Sequence, residues 1–99
     1  MAKKEFVVFG LGRFGLSVAK TLSDGGCQVM VVDDDEDKIH EIADNVTYAV
    51  KMDVTDADAL STLGIRNFDH VIVAIGEDIQ ASILVTLMVK EMGVPNILA

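Results

Sequence analysis

The sequence predicts an α/β fold in which helices cover both faces of a doubly wound parallel sheet. Three observations indicate this fold. Strand-like and helix-like segments alternate along the chain. Three of the strand-like segments are nearly continuous apolar runs, as is typical of parallel strands buried on both faces. The first run leads directly into a Gly-x-Gly-x-x-Gly motif at Gly10, Gly12 and Gly15, which a helix-like segment follows.

The elements are predicted in a regular order. Strands are expected at 6–9, 28–32, 47–51, 70–75 and 96–98, and helices at 14–23, 36–43, 56–63 and 77–92. Apolar residues recur at helical spacing in the first helix, at Phe14, Val18, Ala19 and Leu22. Thr55 is the expected N-cap of the third helix.

Right-handed crossovers place these strands most simply in the order 3-2-1-4-5. A ligand of such a Rossmann-like sheet lies outside the carboxyl ends of the strands, where the order reverses, here between strands one and four. Residues 1–99 are expected to form a single domain.

Each glycine of the motif has its own expected function. Gly10 permits the tight turn after the strand, Gly12 lets backbone approach a pyrophosphate, and Gly15 lets the helix pack closely. Unpaired N–H groups at the helix start, together with the positive end of its dipole, then face the phosphates. The alternative is that the motif is only a strand–helix turn.

An acidic residue follows the second predicted strand. Asp33 comes after Gly15 at close to the roughly 20 residues expected for a ribose-binding carboxylate. Its oxygens can accept hydrogen bonds from both ribose hydroxyls. They would repel a 2′-phosphate, and no arginine follows, so a 2′-phosphorylated dinucleotide is disfavoured. If the motif were only structural, Asp33 would be a surface carboxylate.

Two further strand ends are expected to line the same site. Asp53 either accepts a hydrogen bond from an adenine amino group or helps to cap the helix at Asp56. Gly76 either lets backbone approach the nucleotide or starts the next helix. Glu77 and Asp78 can also be ordinary first-turn carboxylates, which is the expected function of Asp78.

The fourth predicted helix is apolar on nearly all sides. Its two apolar stripes comprise Ile79, Ile83, Leu84, Leu87 and Met88 on one side, and Ala81, Val85, Val89 and Met92 on the other. Such a helix is buried on more than one side. Since the sheet covers only one, the other is expected to form a subunit interface, or else to be covered by chain that this sequence does not contain.

Composition narrows the class of protein. A formal net charge of −8 disfavours nucleic acid or an anionic lipid surface as a partner. The apolar fraction of 51% argues against disorder. No apolar run reaches the roughly 18 residues of a membrane span. The start lacks a signal-peptide core, and one cysteine, Cys27, fits a reducing cytosol.

An ordered series of motifs resembles one family. The series comprises residues 10–15 with Arg13, 31–35, 52–56, 63–65, 68–76 and 93–97. These segments resemble the RCK (KTN) nucleotide-binding domains that regulate potassium channels and Trk/Ktr-type potassium uptake systems, most closely the cytosolic regulatory subunit of Ktr systems. The resemblance covers essentially the whole chain.

The resemblance implies a non-enzymatic gating module with no catalytic residues. Such domains form homodimers and rings, commonly octameric, beneath an integral-membrane potassium channel or transporter subunit, at the cytoplasmic face of the cell membrane. Adenine nucleotides (ATP or ADP) or NAD(H) bind at the strand ends and change the ring's shape. The family continues through a sixth strand and a C-terminal ligand-binding domain, so this chain is expected to be a truncated piece.

The resemblance also implies functions for particular residues. Arg13, in the glycine loop, reaches the nucleotide phosphates. The ribose-binding acids match Asp33 and, with it, Asp34 and Asp35. The predicted nucleotide-binding residues are therefore the loop Gly10, Leu11, Gly12, Arg13, Phe14 and Gly15, the acids Asp33, Asp34 and Asp35, the adenine-side Asp53 and Val54, and the fourth-strand end Ile75, Gly76 and Glu77.

Arg13 bears on the choice of ligand. A guanidinium beside a loop of N–H donors adds a bidentate phosphate contact. The third phosphate of ATP in an acidic protein needs that contact more than a dinucleotide's pyrophosphate does, which favours an adenine nucleotide over NAD(H). Alternatively, Arg13 pairs with a surface carboxylate. The acidic run at 33–35 leaves metal involvement open, since a solvated loop explains it equally well, and no metal site is assigned.

Two other functions share this fold. The chain could be the cofactor-binding half of an NAD-dependent dehydrogenase, which has the same glycines and an acid like Asp33. Against that, the sequence has no substrate domain and no proton-transfer pair, because His40 and His70 are expected to be structural. The chain could also be a nucleotide sensor that regulates something other than potassium flux.

Overall fold

The structure alternates strands and helices in the predicted order. It is a computed structural model that describes residues 4–76 and 78–99. The strands are β1 Glu5–Phe9, β2 Gln28–Asp33, β3 Tyr48–Lys51, β4 His70–Val73 and β5 Asn96–Leu98. The helices are α1 Arg13–Asp24, α2 Glu36–Ile42, α3 Ala57–Ser61 and α4 Ile79–Glu91, with short 3-10 turns at Ala43–Asn45 and Ile65–Asn67.

The five strands of the described chain pair in parallel in the order β3-β2-β1-β4-β5, which confirms the predicted topology. Phe9 lies opposite Val32 of β2 and Val73 of β4. The three central strands therefore end nearly level with one another. Because the order reverses between β1 and β4, the helices after these strands lie on opposite faces, which opens a cleft at this edge.

Apolar side chains on the two faces of the sheet build two cores. Helices α1 and α2 cover one face, where Val8 packs in a cluster with Ala19. Helices α3 and α4 cover the other, where Phe9 packs in a cluster with Leu60 and Val85. Successive residues of one strand therefore serve different cores, which explains why the strands are continuous apolar runs.

The start of α3 differs from the sequence prediction. Its N-cap is Asp56, whose carboxylate accepts a hydrogen bond from the Ala59 N–H, so the prediction of Thr55 as the cap was wrong. The helix is also shorter than predicted, because it ends at Ser61. Strand β4 likewise ends two residues early, at Val73, so that the residues after it belong to the loop at the cleft.

The start of α4 lies later than predicted. The helix begins at Ile79, and Asp78 is its N-cap, with a carboxylate that accepts a hydrogen bond from the Ala81 N–H at 2.9 Å. Asp78 was predicted as a first-turn residue and is instead the cap itself. Glu77, where the helix was predicted to begin, lies outside the described residues.

Phe14 belongs to the apolar series predicted along α1 but does not lie in the core. Its side chain is 60% exposed, while Gly15 and Ala19 occupy the buried face of α1. Phe14 instead lines the cleft at the start of α1.

Helix α4 carries apolar side chains on two sides. Val85 and Val89 are buried against the sheet. On the opposite side lies an exposed α4 stripe, in which Ile79 and Ile83 are 72% and 57% exposed; the stripe comprises Ile79, Ile83, Leu84 and Leu87. Within the described ranges, no helix has the length and apolarity needed to cross a membrane. The sheet thus accounts for only one apolar side of α4.

Candidate nucleotide-binding site

An open cleft of about 880 Å³ lies at the carboxyl edge of the central strands. This volume falls within the range of ligand sites in proteins. Eleven of the predicted binding residues line it: Gly10, Leu11, Gly12, Arg13, Phe14, Asp33, Asp34, Asp53, Val54, Ile75 and Gly76. The structure therefore brings together residues from four separate loops. Gly15 and Asp35 do not line the cleft, and Glu77 lies outside the described residues.

Two glycines of the loop are required by close packing. Gly10 has a φ of +96°, and a Cβ there would lie 2.6 Å from the carbonyl oxygen of Ala74 after β4. A Cβ on Gly15 would overlap the carbonyl oxygen of Gly10. Only hydrogen fits at either position, so the loop folds tightly onto the start of α1 and onto the end of β4.

No close packing among the described residues requires a glycine at position 12. A Cβ there would meet nothing within 4 Å, and its φ of −65° is open to any residue. Gly12 lines the cleft and is the N-cap of α1, and it provides no side-chain cap. The first N–H groups of a helix need partners, and an uncapped start with a positive dipole end binds anions readily.

The other three α-helices of the described chain begin differently. Asp35 caps α2, Asp56 caps α3 and Asp78 caps α4, each through its own carboxylate. In these helices a negative side chain already occupies the place where an external anion would bind. Among these four helices, α1 is therefore the one whose first N–H groups are not occupied by a carboxylate cap.

Asp33 is held rigidly at the end of β2. Its side chain is only 9% exposed, and both carboxylate oxygens accept backbone hydrogen bonds. Oδ2 accepts from the Leu11 N–H at 2.7 Å, and Oδ1 accepts from the Asp35 N–H at 2.8 Å. A carboxylate has about four acceptor positions, so two remain for a ligand. Asp33 is thus not the surface carboxylate of the purely structural alternative.

The two acids after Asp33 differ in their surroundings. Asp34 is exposed and lines the cleft. Asp35 turns its carboxylate to α2, where it accepts from the N–H groups of Asp37 and Lys38 at 2.9 and 3.3 Å. The geometry therefore gives Asp35 a capping function. In the parts of the chain that the structure describes, no three acidic, histidine or cysteine side chains group closely enough to hold a metal ion.

Asp53 forms a small turn at the far edge of the cleft. Its Oδ1 accepts from the Thr55 hydroxyl at 2.6 Å and from the Thr55 N–H at 2.9 Å. These hydrogen bonds, the hydroxyl first, lower the pKa of Asp53 below its ordinary value. Since Asp56 caps α3 itself, Asp53 does not serve as that cap. Its carboxylate stays charged and faces the cleft as an acceptor.

Two cations line the cleft. Arg13 lies at the start of α1, and Lys38 lies in the first turn of α2, close in sequence to the acids after β2. Among the described residues the single ion pair is elsewhere, between the exposed Lys51 and Glu36 at 4.0 Å. Arg13 therefore forms no ion pair with a carboxylate in the described part of the chain, contrary to the predicted alternative.

Sequence reasoning missed three residues of the cleft lining: Lys38, Ala74 and Ala81. Thr55 and Asp78 also line the cleft, at strand ends that were expected there, although neither was predicted as a binding residue. Lys38 carried a usable signal, because a basic residue in the first turn of a helix is unfavourable for the helix dipole. Asp78 and Ala81 extend the cleft to the start of α4. The cleft is therefore continuous with the helix that bears the exposed α4 stripe.

The strand order and the glycine-rich, uncapped start of α1 define a class of protein, the Rossmann-like nucleotide-binding domains. Within that class, the chain belongs to the TrkA-N domain family, whose profile matches residues 6–99. This confirms the family resemblance found in the sequence.

Two relatives in Bacillus subtilis are similar over nearly the whole chain. The Ktr system potassium uptake protein C is 61% identical over 95 residues, which are 96% of this chain and 43% of the relative. The Ktr system potassium uptake protein A is 51% identical over 94 residues, which are 95% of this chain and 42% of the relative. The chain thus spans less than half the length of these relatives.

A solved structure shares the fold. It is the NAD(P)-binding domain of an exopolyphosphatase-related protein from Archaeoglobus fulgidus, with a TM-score of 0.78 and 23% identity. The match covers 91% of this chain and 67% of the other. At this level of identity the likeness supports the Rossmann-like architecture alone.

Proposed function

We propose that this domain is a nucleotide-binding regulatory module of a potassium uptake system and that it has no catalytic function. The observation that carries the proposal is the start of α1, where Gly12 leaves the helix uncapped inside the cleft while carboxylates close the other three helix starts. The similarity to Ktr system potassium uptake proteins supports the potassium system as its context.

The proposed ligand is an adenine nucleotide, ATP or ADP, with NAD(H) as the alternative. The phosphates would lie against the N–H groups at the start of α1 and beside Arg13. The ribose would lie at Asp33, with Asp34 next to it, and the adenine near Asp53 and Val54. Arg13 favours ATP, because a triphosphate in a domain of net charge −8 gains most from an added cation.

The proposed mechanism is a shift between two arrangements of subunits. ATP and ADP, or NADH and NAD, do work on a partner only through different affinities for the two arrangements. The exposed α4 stripe is the proposed contact with a second copy, in a homodimer that belongs to an octameric ring in the full-length protein. The ring would bind an integral-membrane potassium transporter subunit from the cytoplasmic side.

A dehydrogenase half is the less favoured function. Within the described residues, the cleft lining contains no histidine, the residue that most often exchanges a proton with a substrate. The relatives above are potassium uptake proteins. Turnover of NADH with a 2-hydroxy acid, an aldehyde or their oxidised counterparts would contradict the regulatory proposal.

Calorimetric titration tests the ligand. The domain and its Arg13→Ala variant are titrated with ATP, ADP, NADH and NAD, and Arg66→Ala, on the surface away from the cleft, is the matched control. We expect ATP to bind tightest and Arg13→Ala to weaken ATP roughly tenfold more than NADH. Tighter binding of NADH with no effect of Arg13→Ala would refute the phosphate argument. Absence of binding by all four ligands would refute the proposed function.

A further inference from the structure

Asp33 joins two parts of the cleft that are far apart in sequence. Among the described residues it is the one charged side chain that is buried. Its Oδ2 accepts from the N–H of Leu11 in the glycine loop, and its Oδ1 accepts from the N–H of Asp35 in the turn before α2. The first of these bonds spans 22 residues. Hydrogen bonds to an ionised acceptor are short and strong, as the 2.7 and 2.8 Å distances indicate.

We propose that Asp33 is a positioning residue, which holds the glycine loop and the α2 start in their binding geometry before any ligand arrives. This inference rests on the proposed nucleotide-binding function and adds to the ribose contact expected of Asp33. A carboxylate is well suited to it, because it can accept two backbone hydrogen bonds and still offer acceptor positions to a ribose.

The glycine loop depends on this bond. Leu11 is 2% exposed, with its side chain in the core shared by α1 and α2. Without Asp33 its N–H would be left without a partner in a site that water reaches poorly, which is costly. The loop would move to regain a partner, and the N–H groups at the start of α1 would lose their common direction.

The α2 start depends on the second bond. Asp33 fixes the Asp35 N–H, and the Asp35 carboxylate in turn caps α2 through the N–H groups of Asp37 and Lys38. Lys38 lines the cleft from that first turn. One buried carboxylate therefore sets the relative position of the phosphate loop and of the turn that carries the second cation.

A ligand without ribose hydroxyls separates positioning from direct ribose contact. The test compares ATP with 2′,3′-dideoxy-ATP on the wild-type chain and on Asp33→Asn, which keeps the side-chain shape but provides one acceptor oxygen for two N–H donors. Asp37→Asn is the control, since it removes the same charge from the neighbouring turn and its side chain lies outside the cleft lining.

We expect Asp33→Asn to weaken dideoxy-ATP by roughly tenfold or more, because it loses the loop geometry. ATP should lose at least the same factor, since it loses the loop geometry and part of its ribose contact. Asp37→Asn is expected to change both by less than about twofold. If Asp33→Asn weakens ATP alone and leaves dideoxy-ATP unchanged, Asp33 is only a ribose ligand and the proposal is refuted.

A measurement on the unliganded protein keeps this inference separate from the proposed function. In Asp33→Asn, exchange of the Leu11 amide hydrogen is expected to accelerate at least about tenfold more than exchange of the Val85 amide, which lies in the other core. Equal acceleration of both amides indicates general destabilisation and contradicts the proposal. If Asp33→Asn does not fold, the wild-type chain decides: a through-hydrogen-bond coupling between the Leu11 nitrogen and the Asp33 carboxyl carbon supports the proposal, and its absence refutes it.

Discussion

Helices α1 and α4 begin side by side at the same edge of the sheet, yet their starts and surfaces are opposite in character. Helix α1 starts at Gly12 without a side-chain cap, while α4 starts at Asp78, which accepts from its own first turn. Helix α1 has one buried side, with Gly15 and Ala19 against the sheet. Helix α4 is apolar on its buried side and on its exposed side.

The difference separates two functions that meet at one cleft. An uncapped start leaves N–H donors for an anion, and a capped start does not. An exposed apolar side provides a surface for another protein, and a polar one does not. Since both helix starts line the same cleft, occupation of the α1 start can bear directly on the position of the helix proposed to contact a second copy.

The largest expected effect concerns the third residue of each helix. Gly15→Ala should destabilise the fold by about 3 kcal/mol or more, because its methyl group would overlap the Gly10 carbonyl. The matched change in α4, Ala81→Gly, should cost about 1 kcal/mol at most. Urea denaturation monitored by circular dichroism measures both. Equal losses would contradict the tight packing of the loop.

The next substitution gives α1 an acidic N-cap like that of α4. Gly12→Asp has room for its side chain and should cap the helix, so the free energy of unfolding should rise by about 0.5 kcal/mol. Nucleotide affinity should fall about 100-fold, because the carboxylate takes the N–H donors and repels phosphate. Gly12→Asn, which caps without charge, should lose less. Unchanged ATP binding by Gly12→Asp in calorimetry would place the phosphates elsewhere.

The exposed α4 stripe can be made polar. Ile83→Glu combined with Leu87→Glu should weaken self-association at least about tenfold, since it buries carboxylates in an apolar contact. The stability of the isolated domain should change by less than about 0.5 kcal/mol, because both side chains are exposed. Ser17→Glu on the exposed side of α1 is the control. Sedimentation velocity measures association, and a monomeric wild-type chain would contradict the proposed contact.

Removing the α4 cap tests whether the Asp78 carboxylate stabilises the start of α4. Asp78→Ala should lower the free energy of unfolding by about 1 kcal/mol, through loss of the hydrogen bond to the Ala81 N–H. Asp78→Asn retains an acceptor oxygen and should lose less. Thermal unfolding checks both variants. If neither variant changes stability, the carboxylate does not close this helix start.

The smallest effect concerns Asp53. Because its pKa is lowered in the folded chain, its turn adds stability that is present above the ordinary value of 3.8 and is lost as pH falls through the lowered pKa. Thr55→Val removes the hydroxyl donor and should move the Asp53 pKa up towards 3.8. A carbon-detected NMR titration of the carboxyl group measures this, and an unchanged pKa would show that the hydroxyl bond is absent.

Much of the fold and part of the cleft could be predicted from residue order. Continuous apolar strands, the glycine motif and Asp33 at a strand end determine the topology and the edge where the cleft lies. Helical spacing grouped Phe14 with Ala19 and Leu22, but spacing alone does not show that its side chain is exposed at the cleft while Ala19 is buried. The Thr55 prediction failed because Thr55 and Asp56 are neighbouring cap-forming residues, and a shift of one residue decides between them.

Other features depend on tertiary geometry. The bond between Leu11 and Asp33 joins residues whose distance in space is set by the pairing of β1 with β2. Lys38 reaches the cleft because Asp35 fixes the first turn of α2. Neither contact leaves a periodic pattern, so sequence reasoning identified the acids around the cleft but not what each carboxylate binds.

The most direct test of the central claim is an NMR titration of the wild-type chain with ATP, with every backbone amide observed. We expect saturable shifts that are largest at Gly12, Arg13 and Phe14, with smaller ones at the capped start of α4. Shifts concentrated at residues 79–81, or no saturable shift at the start of α1, would contradict the claim that this uncapped helix start is the phosphate site.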